Sequence, residues 1–246
     1  MELDMSPLHD TVSDDVAIWR YMDLPRFVSM LATRELWFAK AATYDDPYEG
    51  FCKAVPSAGH GHVLAQNAAE VCGNARDYLY VNSWCLAFES MAMWEIYGSR
   101  GCGLAVRSTV NQYRRAAKFD TRADQYSFGE VTYHHDLDAS LEIQRDFSRG
   151  PIPVGSGVWP EVLKLGFNKR SAFKHENEWR AALYKDYRPE VSGVRIPFDL
   201  EQLISAVYVG PRAEAFFFDA VGSIMDKFLP LRKPLERSVL LNQPKK

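Results

Sequence analysis

Between Phe173 and Tyr184 the chain reads Phe-Lys-His-Glu-Asn-Glu-Trp-Arg-Ala-Ala-Leu-Tyr, a dense charged run that enters a short apolar segment. Residues 177–184 read as a strand. Period-two alternation then sets Glu178, Arg180, Ala182 and Tyr184 on one face and Trp179, Ala181 and Leu183 on the other. Glu178 and Arg180 share a surface, and Glu176 extends it by one carboxylate from the preceding loop. Two acids and a guanidinium at the mouth of a strand make a candidate site, because a partly buried carboxylate must be either paired or used. The plainer expectation for the same pattern is an edge strand with a solvated charged face.

The elements that would position this stretch can be read in chain order. Residues 1–14 are polar and acidic and read as a flexible leader, 15–229 as a single domain, and 230–246, with three prolines, as an extended tail. Residues 16–21 read as a strand. Asp23 caps a helix with Pro25 in its first turn and Leu24, Phe27, Val28 and Leu31 at helical spacing, and residues 35–39 return as a second strand. The loop over 43–50, Thr-Tyr-Asp-Asp-Pro-Tyr-Glu-Gly, has strong turn chemistry and is suited to hold Asp45, Asp46 and Tyr48 at the rim of a cleft. A helix is expected over 62–79 and a strand over 80–88. Ser90 caps and Gly98 stops a short helix over 91–97, whose Trp94 and Tyr97 share one face. Strands follow at 101–107 and 129–134, then a helix at 139–147 and a Gly and Pro cluster at 150–157. Residues 159–173 read as a helix with Lys164, Lys169, Arg170 and Lys174 as a basic face. Strands at 194–198 and 205–210 enclose a helical turn capped by Asp199. Pro211 opens a last helix with Phe217, Val221, Ile224 and Phe228 as its buried stripe.

A chain of 246 residues that is 47% hydrophobic and 13% aromatic is globular and can bury a sizeable core. Its net charge of -3 carries no bulk sign of a polyanionic partner. No basic, apolar and small-residue sequence of a signal peptide opens the chain, and no apolar stretch reaches the length of a membrane span, so the expected compartment is the cytoplasm. Cys52, Cys72, Cys85 and Cys102 lie in dissimilar contexts, in keeping with a reducing compartment. Cys52, His60, His62 and Cys72 are close in sequence but match none of the common zinc spacings, and no metal is expected.

Three sets of motifs, taken in order, resemble the bacterial family called domain of unknown function 2971. They are Trp19-Arg20-Tyr21 with the following helix and Leu-Trp-Phe-Ala strand; Asp45-Asp46-Pro47-Tyr48-Glu49 with Asn82-Ser83-Trp84-Cys85 and the Met93-Trp94 to Tyr97 helix; and Lys174-His175-Glu176-Asn177-Glu178-Trp179-Arg180. A more distant resemblance is to the ADP-ribosyltransferase superfamily, which implies an α+β fold with bent mixed or antiparallel sheets flanked by helices. It also implies a cleft for NAD, with Arg20, Ser83 and Glu178 at the superfamily's three site positions and Glu176 as the first acid of a Glu-x-Glu motif. On this resemblance Glu178, Glu176 and Ser83 are catalytic, while Arg20, Tyr21, Trp94, Tyr97, Arg180 and Asp46 bind NAD. The acceptor would be a protein, a nucleic acid or water. Ser83 is followed by Trp84 and not by the Thr-Ser of the superfamily's Ser branch.

Other readings of the same residues stay open. Arg20 and Glu178 can serve as a buried ion pair between two strands. A non-catalytic module can hold a nucleotide or a protein segment in the same cleft. A metal-dependent nuclease or hydrolase would need Asp45, Asp46, Glu176 and Glu178 around one ion. The enzyme and the binding module both require Arg20, Ser83 and Glu178 to be placed in space, which the one-dimensional pattern does not do.

Overall fold

In the computed structural model the described residues are 11–51, 75–98, 101–120, 125–135, 159–185 and 190–242. The leader up to residue 10, most of the helix over 62–79, the helix over 139–147, the Gly and Pro cluster, and Cys52, His60, His62 and Cys72 fall outside them.

The chain opens strand, helix, strand: β1 (Ala17–Asp23), α1 (Leu24–Thr33) and β2 (Glu35–Lys40). Asp23 accepts the Arg26 N–H at 2.8 Å, which satisfies one orphan donor of the first turn, and Pro25 fits there because its missing N–H had no partner to lose. The helix ends at Arg34, which adopts the left-handed conformation (φ 56°). Then come β3 (Leu79–Cys85), α2 (Met91–Tyr97), β4 (Gly103–Thr109), α3 (Val110–Ala116), β5 (Gln125–Glu130) and β6 (Thr132–His134). The second half holds α4 (Trp159–Leu165), β7 (Asn168–Arg170), β8 (Glu178–Tyr184), β9 (Gly193–Pro197), α5 (Leu200–Leu203), β10 (Ala206–Val209), α6 (Ala215–Phe228) and β11 (Leu235–Arg237).

The class is α+β. Its main sheet runs β11-β10-β4-β1-β3-β2-β9 and branches at β3, whose other edge pairs with β8 along its whole length, with β5 beyond. Pairing is antiparallel except for β10 with β11, so the sheet is mixed, and β6 and β7 form a separate parallel pair. The core gathers around Tyr113 of α3. Its ring meets Trp84, Trp179 and Phe198 edge-on, and its hydroxyl donates to Asn82 Oδ1 at 3.0 Å.

Several expectations need correction. The strand carrying Glu178 is not an edge: β8 lies between β3 and β5 and is buried throughout, so its charged face is buried and paired, not solvated. The helix expected over 159–173 stops at Leu165. Gly166 turns the chain, Asn168 Nδ2 caps the Lys164 carbonyl at 2.9 Å, and pairing with β6 draws residues 168–170 into a strand. A 3-10 turn over Ser171–Glu176 follows, so the four basic residues do not share a helix face. The strand expected at 129–134 is two strands broken at Val131, whose N–H is taken by the Glu178 carbonyl at 2.8 Å. The strand read at 101–107 continues to Thr109, whose side chain caps the unforeseen α3. The last helix begins at Ala215, not Pro211. Part of the expected tail, β11, extends the sheet.

Candidate functional site

One edge of β3 is claimed by two strands that cannot both follow it. At its C-terminal end β1 pairs with it through Trp19 and Cys85 alone, and at its N-terminal end β2 pairs through Ala39 with Val81 and Lys40 with Tyr80. Asn82, Ser83 and Trp84 have no strand partner on that edge, and side chains replace the missing ladder because a buried backbone group left unpaired is costly. Arg20 Nη1 donates to the Ser83 carbonyl at 2.9 Å, and Asn82 Nδ2 donates to the Trp37 carbonyl at 2.8 Å. Where β1 and β2 part, a cleft of about 750 Å³ opens, within the range of ligand pockets.

Arg20 and Tyr21 from β1, Ser83 from β3 and Tyr97 from α2 line this cleft, and Glu176 and Glu178 lie on its wall with Lys169. The register explains part of the convergence. Ser83 stands opposite Arg180 and Cys85 opposite Glu178, so these four project from one face of the β3–β8 pair. Asn177 takes the left-handed conformation (φ 42°), which asparagine tolerates, and the sharp bend lets acids on both sides of it reach one ammonium. Lys169 Nζ donates to Glu176 Oε2 and to Glu178 Oε1, each at 2.8 Å. Arg180 Nε donates to the other oxygen of Glu178, and its Nη1 pairs with Glu49 and donates to the Gly166 carbonyl at 2.9 Å. Glu49 Oε2 is 3.9 Å from the same Lys169 ammonium.

These contacts divide the two acids of the Glu-x-Glu motif. Burial disfavours ionisation of Glu178, but the Arg180 guanidinium, the hydrogen bond with Glu176 and the Lys169 ammonium together hold its carboxyl well below the usual range. Glu176 is pushed up to about 8, first by burial and then by the adjacent Glu178. Lys169 is raised despite burial because three carboxylates surround it, Glu178 foremost. Burial lifts Tyr97 to about 12 and Cys85 to about 11, and it lowers Arg20.

The expected site residues separate into two groups. Arg20, Tyr21, Ser83, Tyr97, Asp46, Glu176 and Glu178 all border the cleft, and the Ser83 hydroxyl there is buried without a hydrogen-bond partner. Arg180 does not reach it, being fully buried beneath Glu178, and Trp94 packs edge-on against Tyr21 at 4.8 Å, behind the wall. The expected alternative of an Arg20–Glu178 ion pair is replaced by the pairing of Glu178 with Arg180 and Lys169. Asp46 is paired with Arg170 at 3.0 Å, which fastens the 43–50 loop to β7. Lys169 and Glu49 were not anticipated. Gly166, as a helix stop, was the signal that Lys169 lies beyond the helix; Glu49 carried none beyond its turn.

Among the described residues no group of three or more His, Cys, Asp or Glu side chains could hold a metal ion. The Lys169 ammonium stands between Glu176 and Glu178, where an ion shared by those acids would have to sit. No helix among the described residues is long and apolar enough to cross a membrane.

No family model matches the chain, that of domain of unknown function 2971 included, and no curated protein matches it. Solved structures do. The chain is similar to Thermus sp. 2.9 DarT in complex with carba-NAD+ (12% identity, TM-score 0.39, covering 92% of this chain and 96% of that one). It is also similar to the same protein in complex with NAD+ (14%, TM-score 0.40, 93% and 98%) and with ADP-ribosylated ssDNA (13%, TM-score 0.41, 94% and 97%).

Proposed function

We propose that this chain binds NAD in the cleft and transfers its ADP-ribosyl group to an acceptor, a protein, a nucleic acid or water. The observation that carries the reading is the convergence of Arg20, Ser83, Glu176 and Glu178, from three separated parts of the sequence, on one open cleft. In the reaction the bond between nicotinamide N1 and the ribose breaks, its electron pair goes to the nicotinamide, and positive charge develops on the ribose as in glycoside cleavage. Glu178 remains ionised and stabilises that charge more in the transition state than in the ground state. Arg20 spends one donor on the Ser83 carbonyl, and its remaining N–H groups are available to a phosphate or ribose oxygen. Tyr97 offers a ring for the nicotinamide to stack on, and the partnerless Ser83 hydroxyl is available to a ribose hydroxyl. Glu176, once ionised, accepts the proton of the attacking acceptor.

One observation favours a second reading, a nucleotide-binding module without turnover: Glu178 already has both oxygens engaged by Lys169 and Arg180. Calorimetry with NAD on the wild type and on Glu178→Gln, with free nicotinamide followed in the same samples, separates the two. Binding with release that the substitution abolishes supports the transferase. Binding without release supports the module, and no binding at millimolar NAD removes both.

A further inference from the structure

Three carboxylates, Glu49, Glu176 and Glu178, enclose two cations, Lys169 and Arg180, in a single contact network. All five side chains are buried, and one negative charge is left uncompensated. A lone charge in such surroundings is expensive, so the network must acquire one more positive charge. Glu49, Lys169, Glu176 and Glu178 border the cleft, and Arg180 alone of the five is sealed behind them. Two species can supply that charge from the cleft: a proton, or a ligand with a cationic group placed against the acids.

Resting on the reading of this cleft as an NAD site, we propose that the empty cleft carries one extra proton on Glu176, and that the positively charged nicotinamide ring of oxidised NAD takes its place. The exchange balances: the protonated site and the cationic ring give the complex and one proton released to solvent. It follows that the site prefers the oxidised dinucleotide to the reduced one, whose ring is neutral and cannot replace the proton. It also follows that binding leaves Glu176 ionised, as its role toward the acceptor requires. Glu49 is engaged by the Arg180 guanidinium, and the groups named next do not compete for this proton. Lys169 and Arg180 stay charged and Glu178 stays ionised. Cys85 on β3 and Tyr97 on α2 are raised to about 11 and about 12, and Tyr44 and Tyr133 lie higher.

The test is calorimetry with carba-NAD+, which keeps the charged ring and resists cleavage, and with NADH, each in two buffers of different ionisation enthalpy. Expected for carba-NAD+ is the release of close to one proton at about pH 7, with affinity rising roughly tenfold per pH unit below about pH 8 and levelling off above it. NADH should bind with no proton release and no such slope. Glu176→Gln should bind carba-NAD+ without release and without the slope. Carba-NAD+ binding to the wild type with no proton release, or a release that survives Glu176→Gln, overturns the inference and leaves the NAD site standing. If neither dinucleotide binds at about pH 9, where the competing proton is gone, the NAD site falls and the inference with it.

Discussion

Trp179 and Arg180 are neighbours on β8, both sealed from solvent and pointing to opposite faces. Trp179 lies in a ring of aromatics, stacked on Phe128 and edge-on to Tyr113, where many weak contacts share the load. Arg180 lies among Glu49, Glu178 and the Gly166 carbonyl, where a few strong contacts carry it. The apolar face gains from area and shape, and a change of similar volume disturbs it little. The charged face depends on every partner, since removing one strands another in low dielectric. The site is built on the face that is harder to keep folded, because that is where charge can be held for chemistry.

Substitutions on the two faces should separate these modes of stabilisation. The largest effect is expected from Arg180→Met, which fits the space but leaves Glu49 and Glu178 facing each other. It should cost about 3–5 kcal/mol in urea unfolding, and a loss near zero would show that the acids find relief elsewhere. Glu178→Gln should lower nicotinamide release about 100-fold to 1000-fold, the scale of one preorganised electrostatic group. A fall of that size with NAD affinity retained would set the charged face apart as chemical and not merely structural.

The two acids of that face should also leave opposite marks on stability against pH. Glu176 is raised from its ordinary 4.5 to about 8, so the folded chain holds this proton more tightly than the unfolded chain does. Its contribution is complete below 4.5 and is lost as pH rises toward 8. Glu178 is lowered, so its contribution is complete above 4.5 and is lost as pH falls through its folded value. Thermal unfolding across pH should show a decline between about pH 4.5 and pH 8 that Glu176→Gln removes; persistence of that decline in the variant would assign it to another group. On the apolar face Leu183→Met should cost less than about 1.5 kcal/mol. Tyr113→Phe keeps the ring contacts and loses only the hydrogen bond to Asn82, about 1 kcal/mol in the same unfolding experiment.

Much of this molecule was legible in one dimension wherever the deciding interaction is local. The Asp23, Ser90 and Asp199 caps bond N–H groups two or three residues ahead, and all three were readable from residue type and position. The alternation along β8 was readable too, because successive side chains on any strand take opposite faces. Where competition between distant segments decides, the reading failed. Residues 168–170 have the composition of a basic helix face, yet they form a strand because β6 offers an edge and Glu176 and Glu178 offer Lys169 a buried partner.

The opening strand, helix and strand, the caps, and the placing of Glu178 and Arg180 on one face follow from residue type and spacing alone. Packing between distant segments settled the rest: this face is buried, Arg180 and Lys169, not Arg20, hold Glu178, and β1 and β2 part along β3 to open a cleft beside Ser83. The physical reason is that burial and charge pairing are set by what packs against a residue from elsewhere in the chain. A period of two or of 3.6 residues states only which way its side chain points.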